Sequence, residues 1–582
     1  MSEVKQSYVS YEMFGAKGDG VTNDIEAIRA AHKYANDNKM DVKTDPFATY
    51  YLGPEPMEVP IMTNVDFSSS KFIIDDREVT LENRNAPIFK IVSKYAPIKI
   101  DNIKSIKQNQ MKLDLEEELP RNCYCKVVNA NKKQFIRFGL NQNNGSSQTD
   151  CFVLDKTGYI LNKVIWDFEE VTSCEAYPID EEILTVRGGV FTFIANQAES
   201  KYNYHARNIR VNRSNTVIEN VTMFVEGEID HGAPYTGFIN VVDCAFVTIQ
   251  NCHLTPRKIY GTIGSAGKPV SMGSYAFGAG SVVNLTLKNV KQNGIMDRTR
   301  WGLMGTNHCK DIYIDGCVMS RFDAHENVAN LTIKNTVLGH QCFNAIGCGV
   351  MTVENVIAYG SSFLNLRSDY GSNWNGDIIF RNNTWYPNAA AKAPCFIGSA
   401  NGGNHYFGFD CYQTRKIVVD KLYICDGDAA EGYTGASLFT IHATNNMGTV
   451  DYNDRSVSYP YVAPENIQLN DIKTESGKGF KIFTIDTKNC FAEKKHEYAD
   501  GKLVPNMRVY VSDVEMPEEP IIPATALAAE DYGNNHHVAP RIEFKNCENI
   551  VIGATNTPAI IKLFDCTVKS IEECANVSVT AE

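Results

Sequence analysis

A short segment that occurs three times constrains the fold of this chain more than any other feature. The copies span residues 312–318, 331–337 and 351–357, and each alternates apolar and polar side chains before a glycine or an asparagine. These turn residues are 19 and 20 residues apart. A unit of about 20 residues with a single strand cannot bury its apolar face alone, so it must stack on copies of itself. The repeats therefore predict an all-β fold, a parallel β-helix in which each coil pairs with the next.

Similar strand-and-turn segments elsewhere divide the chain of 582 residues into four predicted regions. Between about 106 and 200, strands separated by Asn, Gly and Ser turns break the coil pattern and indicate antiparallel hairpins, either a binding lobe or a brace. Long loops at 402–405 and 493–506 are expected to leave the stack. The predicted regions are an N-terminal cap at 1–40, the first coils at 41–105, the inserted lobe at 106–200 and a right-handed parallel β-helix with a groove at 201–582.

The N-terminal cap is predicted from the string Phe14-Gly-Ala-Lys-Gly-Asp-Gly-Val-Thr-Asn-Asp24 and the residues that follow it. Its three glycines make a tight turn, and Asn23 stands three residues before Glu26, the spacing of a capping box. The helix that follows covers the open end of the first coil with one face. The residues of that face are Ile25, Ile28, His32 and Ala35.

This N-terminal string closely resembles the signature of the pectate-lyase-like superfamily of right-handed β-helix proteins. That superfamily includes polygalacturonase-like and glucanase-like glycoside hydrolases, polysaccharide lyases and phage tailspikes. The resemblance covers residues 11–35 closely, and the repeat pattern extends it more loosely towards the C-terminus. It implies the fold strongly and the activity weakly, because the same signature precedes many chemistries.

Composition narrows the classes of partner and compartment. A formal net charge of −13 argues against nucleic acid or an anionic membrane as the main partner. The 17 cysteines lack the spacing of zinc ligands, and we expect buried free thiols. Asp19 and Asp24 fit turn and helix-start chemistry better than metal binding, so neither metal nor cofactor is predicted. With no apolar signal region, the protein is expected to be cytoplasmic, virion-associated, or secreted with its signal removed.

Titratable residues crowd the coils around the three repeats. Arg321 and His340 each stand five residues after the turn residue of their repeat, so they occupy equivalent positions on neighbouring coils. Such positions lie about 4.8 Å apart, which places Arg321 beside His340. Asp323 and His325 follow Arg321 at two-residue steps, so all three side chains share one strand face. Asp369 comes from the coil after that of His340. If the shared face points outward, these groups line an exposed groove.

Each group in this cluster suits a step of sugar chemistry. Asp323 and Asp369 are the paired carboxylates that glycoside hydrolysis requires, and His325 and His340 are proton carriers. Arginines bind carboxylates through two nitrogens, and aromatic rings stack on the apolar faces of sugars. The residues predicted to bind substrate are Arg321, Arg367, Arg298, Arg300, Glu326, Trp301 and Trp374.

The string Phe322-Asp-Ala-His-Glu326 also resembles the catalytic segment of alginate C5-epimerases. The resemblance implies that Asp323 and His325 correspond to a catalytic aspartate and histidine. Two departures matter: Ser320 stands where those enzymes carry a catalytic tyrosine, and their downstream aspartate falls near Gly349. The match spans about 15 residues.

Three functions remain open from the sequence. The first is cleavage of glycosidic bonds in a polysaccharide or oligosaccharide, with hydrolysis slightly favoured. The second is lyase or epimerase chemistry at C5 of a uronate, and the third is non-catalytic binding of a glycan by a tailspike-like protein. A homo-oligomer, specifically a trimer, is a further expectation.

Overall fold

A computed structural model describes residues 8–56, 58–201, 203–400, 407–442, 461–462, 464–486, 507–523, 540–555, 559–575 and 577–582. Over these residues the fold is a right-handed parallel β-helix with an N-terminal helix and an inserted antiparallel lobe, as predicted. The chain divides into two compact units. The first comprises Met1–Lys132 and Ser147–Phe322, and the second comprises Lys133–Ser146 and Asp323–Glu582.

The coils of the first unit are built from short parallel strands. Residues of Lys71–Asp75 align with Val190–Ile194, and residues of Ile239–Gln250 align with Phe277–Lys288. A separate antiparallel hairpin joins Ile259–Ile263 to Pro269–Gly273. The remaining strands are Tyr8–Val9, Asp19–Asn23, Asp41–Lys43, Thr49–Leu52, Val59–Ile61, Val65–Asp66, Phe89–Val92, Leu184–Arg187, Ile209–Asn212, Thr216–Glu219, Thr222–Glu226, His253–Leu254, Met304–Asn307, Lys310–Asp315 and Val318–Met319.

The α-helix Ile25–Asn38 caps the first coils, as predicted. Its buried face contains Ile25, Ile28, Ala31, His32 and Ala35. The predicted capping box is wrong: Asp24 occupies the N-cap position. Its carboxylate accepts the backbone N–H groups of Lys17 and Gly18 at 2.7 and 3.1 Å. Asp24 therefore holds the glycine turn rather than the helix N-terminus.

The insertion is a four-stranded antiparallel sheet with its own apolar core. Its strands are Ile98–Lys99, Cys123–Gln134, Ser146–Leu154 and Ser173–Pro178. The sheet begins at Ile98, and parallel coil strands resume at Leu184–Arg187, where the sequence predicts bounds of about 106 and 200.

Polar contacts hold the lobe against the coils of the first unit. Lys310 Nζ lies 2.6 Å from Asp150 Oδ1, and both side chains are buried. The Tyr124 hydroxyl donates to the carbonyl oxygen of Ser281 at 2.6 Å. These contacts anchor the lobe to the coils of the first unit.

The second unit continues the same architecture. Met351 aligns with Ile378, and its strand also pairs with the strand that contains Leu331. The strands are Phe322–Lys334, Val337–Leu338, Phe343–Glu354, Ile357–Tyr359, Leu364–Leu366, Trp374–Tyr386, Ile397–Gly398, Cys411–Tyr412, Lys416–Ile424, Ala436–His442, Tyr461–Val462, Asn466–Thr474, Phe480–Asp486, Arg508–Val514, Arg541–Lys545, Ile550–Ile552, Ala559–Phe564, Val568–Ile571 and Val577–Ala581. The described residues also form the 3₁₀ turn Glu12–Phe14 in the first unit and the 3₁₀ turn Ser368–Tyr370 in the second.

An asparagine ladder explains the turn residue of the repeats. Asn335, Asn355 and Asn382 all have positive φ angles, between 49° and 54°, which asparagine tolerates better than most residues. The side-chain amide of Asn382 donates to Asn355 at 2.6 Å, and that of Asn355 donates to Asn335 at 3.2 Å. Each turn therefore stabilises its neighbour.

Three further predictions concern loops, thiols and membranes. The loops at 402–405 and 493–506 lie outside the described residues. Every cysteine that the structure describes is a free thiol, most of them buried, as predicted. In the described part of the chain, no helix is both long and apolar enough to cross a bilayer.

Candidate functional site

One guanidinium group joins the two carboxylates that the sequence singles out. Arg367 Nη1 lies 2.7 Å from Asp323 Oδ2. Its Nε and Nη2 atoms bond the two oxygens of Asp369 at 3.1 and 2.9 Å. The Arg367 side chain is 10% exposed, and those of Asp323 and Asp369 are 2% and 24% exposed. The predicted pair is thus brought together around a single arginine.

Asp323 departs from the prediction in its exposure. The next residue, Ala324, is fully buried, so strand alternation places Asp323 on the outer face. Arg367 nevertheless covers it there, and Asp323 is buried rather than exposed to the groove. Asp369 is the partly exposed member of the pair because it lies in the 3₁₀ turn Ser368–Tyr370.

A second arginine reaches Asp369 from the tip of the inserted hairpin. Arg137 Nε donates to Asp369 Oδ2 at 2.7 Å. Burial alone raises the pKa of Asp369, but the positive charges of Arg367 and Arg137 outweigh burial and lower it from 3.8 to about 2. Asp369 is therefore ionised at neutral pH.

The hairpin tip that carries Arg137 belongs to the second unit and bonds to other residues of it. The backbone N–H of Phe138 donates to the carbonyl oxygen of Asp369 at 2.8 Å. The N–H of Ile136 donates to the carbonyl oxygen of Phe407 at 3.2 Å. The rings of Phe135 and Phe409 lie 5.0 Å apart. Backbone bonds and ring packing together determine where the guanidinium group lies.

His325 and Glu326 continue the cluster. The His325 ring packs edge-on against the Tyr370 ring at 5.4 Å, and burial with the nearby Arg367 charge lowers the pKa of His325 to about 4. Its imidazole is therefore neutral at neutral pH and can accept a proton. The Ser146 hydroxyl donates to Glu326 Oε1 at 2.5 Å. Burial raises the pKa of Tyr370, which keeps the phenol protonated.

An open cavity of about 410 Å³ lies beside Asp369. Its lining combines charged and polar groups with the exposed side chains of Phe138 and Leu140. The lining residues are Arg137, Phe138, Gly139, Leu140, Asn141, Ser368, Asp369 and Ala400. Within the described residues, no three His, Cys, Asp or Glu side chains are grouped as the ligands of a metal ion.

Within the first unit, three of the basic and aromatic side chains near the repeats contact one another. Arg321 Nε donates to the Tyr275 hydroxyl at 3.0 Å, and its guanidinium carbon lies 4.7 Å from the centre of the Trp301 ring. Arg300 pairs with the buried carboxylate of Glu228. Arg298 is exposed. Arg321, Trp301 and Tyr275 are therefore in contact, whereas Arg300 is engaged in a structural ion pair.

Trp374 is buried, and His340 lies in a turn. The sequence predicts that Trp374 stacks on a sugar, but its side chain has no exposed surface, and its indole N–H donates to the carbonyl oxygen of Gly349 at 3.1 Å. It packs inside the coil and presents no face to a ligand. His340 is half-buried in the turn between Val337–Leu338 and Phe343–Glu354.

Sequence reasoning missed Arg137, Phe138 and Tyr370. Arg137 is 232 residues from Asp369 in the sequence, and it belongs to an insertion that breaks the repeat. No periodicity links the two positions. Tyr370 directly follows Asp369, and a phenol next to a candidate carboxylate was the one local signal that could have identified it.

Comparisons with known proteins yield structural similarity alone. No family model matches the chain, and no curated protein matches it in sequence. Among solved structures, it is similar to the tailspike protein gp49 of Pseudomonas phage LKA1, with 12% identity over 99% of this chain and 83% of that chain, at a TM-score of 0.45. The tailspike gp61 of Pseudomonas phage phi297 matches with 11% identity over 84% of this chain and 83% of that chain, at 0.46. A family 28 exopolygalacturonase from Yersinia enterocolitica matches with 10% identity over 98% and 77%, at 0.30.

Proposed function

We propose that the second unit carries a carbohydrate-active site that hydrolyses glycosidic bonds at the cavity beside Asp369. The observation that supports this proposal is the position of Asp369 at that cavity, ionised and oriented by two arginines, with the Asp323 carboxylate on the far side of Arg367. Glycoside hydrolysis uses one carboxylate as a base or nucleophile and a second group as a proton donor.

In this proposal Asp369 is the base or nucleophile. Its low pKa ensures the charged form, and the bonds from Arg367 and Arg137 fix its orientation. It cannot serve as the acid, because a proton donor needs a pKa near the working pH. Glu326, half-buried beside Ser146, is the carboxyl group that we assign to proton donation. Asp323 holds Arg367 in place and acts through it.

A second candidate function is β-elimination or epimerisation at C5 of a uronate. One observation favours it: a neutral His325, in contact with Tyr370, lies close to two arginine side chains. A neutral imidazole can remove the C5 proton, and the arginines would neutralise the substrate carboxylate.

A panel of neutral and uronate polysaccharides, assayed in two ways, tests these proposals. Hydrolysis releases new reducing ends without ultraviolet absorbance, whereas elimination creates an unsaturated product that absorbs in the ultraviolet. Under the leading proposal, the parent protein releases reducing ends from at least one polysaccharide, and Asp369→Asn lowers kcat at least about 100-fold. Ultraviolet-absorbing product would favour the second candidate. Tight binding with neither signal would leave a non-catalytic glycan-binding protein, with the predicted trimer and virion association still to be tested.

A further inference from the structure

The hairpin tip at the cavity carries an arginine whose bonding capacity is only partly used. Arg137 donates its Nε–H to Asp369 Oδ2. Within the described residues, its two terminal nitrogens have no hydrogen-bond partner, and the side chain lines the cavity. A guanidinium group with two adjacent terminal nitrogens matches a carboxylate through two parallel bonds.

The charges around Arg137 leave its outer end positive. Asp323 and Asp369 both bond to Arg367, whereas Arg137 bonds to Asp369 alone and only through Nε. The terminal nitrogens of Arg137 are thus the cationic end of a chain of four alternating charges.

The apolar neighbours of Arg137 indicate what carries that anion. Phe138 and Leu140 are exposed on the cavity wall, within three residues of Arg137. A sugar ring presents an apolar C–H face to such side chains, and an acidic sugar adds a carboxylate at its edge.

The backbone of the tip holds these groups in one arrangement. Gly145 has φ +83°, and a Cβ atom there would lie 2.5 Å from the carbonyl oxygen of Gln134. The amide of Gly145 bonds to the Asn143 side chain at 2.8 Å, which closes the turn. A preformed site of this kind binds without the cost of ordering a loop.

We propose that the tip at 137–140 is a recognition site for a carboxylate-bearing sugar, with Arg137 binding the carboxylate and Phe138 and Leu140 packing on the ring. This inference rests on the proposed function, because it names the substrate class of the same site. The carboxylate has two possible sources, a hexuronate or a sialic acid.

Calorimetric titration of the full chain tests the inference. The probes are polygalacturonate, alginate and polysialate oligosaccharides, each paired with its carboxyl-reduced form. We expect the parent protein to bind at least one acidic oligosaccharide about tenfold or more tightly than its reduced form. The source of the carboxylate is read from the pair that shows this preference.

Variants then attribute the preference to one side chain. Arg137→Met should reduce the preference for the acidic form to within about twofold, while binding of the carboxyl-reduced oligosaccharide changes by no more than a similar factor. Arg137→Lys should retain part of the preference, because lysine keeps the charge but lacks two adjacent terminal nitrogens. Arg415→Met is the matched control, since Arg415 also lies over a tyrosine ring and pairs with a carboxylate, but is not among the lining residues of this cavity. It should leave the preference unchanged.

Two outcomes overturn the inference and are distinguishable from failure of the proposed function. If the parent protein binds and cleaves glycans without preferring the acidic form, the substrate class is wrong and the proposed function stands. If Arg137→Met still prefers the acidic form over the carboxyl-reduced form, another residue binds the carboxylate. Absence of both binding and product with every glycan would overturn both proposals.

Discussion

Replacing Arg367 by methionine removes the group that joins Asp323 to Asp369, and its effect can be estimated from the structure. Methionine keeps much of the buried volume but leaves two carboxylates without their shared cation. Asp323 is 2% exposed and has little access to water that could replace the lost bond. Removing one partner of a buried ion pair costs about 3–5 kcal/mol, because the remaining charge stays desolvated. We expect a loss of that size in the free energy of unfolding at pH 7.

The pH dependence of the same loss provides an independent check. The pKa of Asp369 falls from 3.8 to about 2 in the folded protein, which corresponds to about 2 kcal/mol of stability at neutral pH. Because the folded pKa lies below the unfolded one, this contribution is fully present above about pH 4. It is lost as the pH falls from about 4 towards 2. Without Arg367 the pKa of Asp369 rises, so the variant should lose less stability than the parent across that window.

Urea unfolding followed by circular dichroism at pH 7, 4 and 3 measures both effects. The matched control is Arg415→Met, which breaks an exposed ion pair with Glu465 and should cost about 1 kcal/mol or less. Equal urea midpoints for Arg367→Met and the control at pH 7 would show that Arg367 does not hold the two carboxylates. Parallel pH profiles for variant and parent would refute the charge network around Asp369.

Three other substitutions test the fold. Ile28→Asp places an unpaired charge on the buried face of the capping helix, and we expect a loss of several kcal/mol; an unchanged melting temperature would show that the helix is not a cap. Lys310→Met removes the counter-ion of the buried Asp150 carboxylate, so limited proteolysis should cut the inserted lobe faster. An unchanged digestion pattern would show that this ion pair does not anchor the lobe. Gly376→Ala places a Cβ atom 2.0 Å from the carbonyl oxygen of Gly349 and should lower the urea midpoint, unlike Gly261→Ala, where a Cβ atom meets nothing within 4 Å.

The fold was predictable because its signals are local. Alternating strands and their asparagine turns recur at nearly constant spacing, and stacking is the only way for such units to bury their apolar faces. The helix face that contains Ile28 follows from periodicity in the same way. The bounds of the insertion were less predictable, since its first strand, Ile98–Lys99, is only two residues long.

The site was predictable in part. Asp323 and Asp369 lie on coils that stacking brings close together, and the structure joins them through Arg367. Their environment could not be read from the sequence, because burial depends on which neighbour covers a residue. Trp374 illustrates the same limit: its position beside the polar residues suggested a ligand surface, but the indole ring packs inside the coil. The bond from Arg137 to Asp369 depends on where the inserted hairpin lies, and the repeat pattern does not predict that position.

The turnover of Asp369→Asn on a glycan that the parent protein cleaves tests the proposed role of Asp369 directly. Asparagine is close in shape to aspartate, so binding of the same glycan, measured in parallel by calorimetry, should stay within about tenfold of the parent value. We expect kcat to fall at least about 100-fold while the glycan remains bound. A variant that releases reducing ends at the parent rate would show that the chemistry takes place elsewhere in the protein.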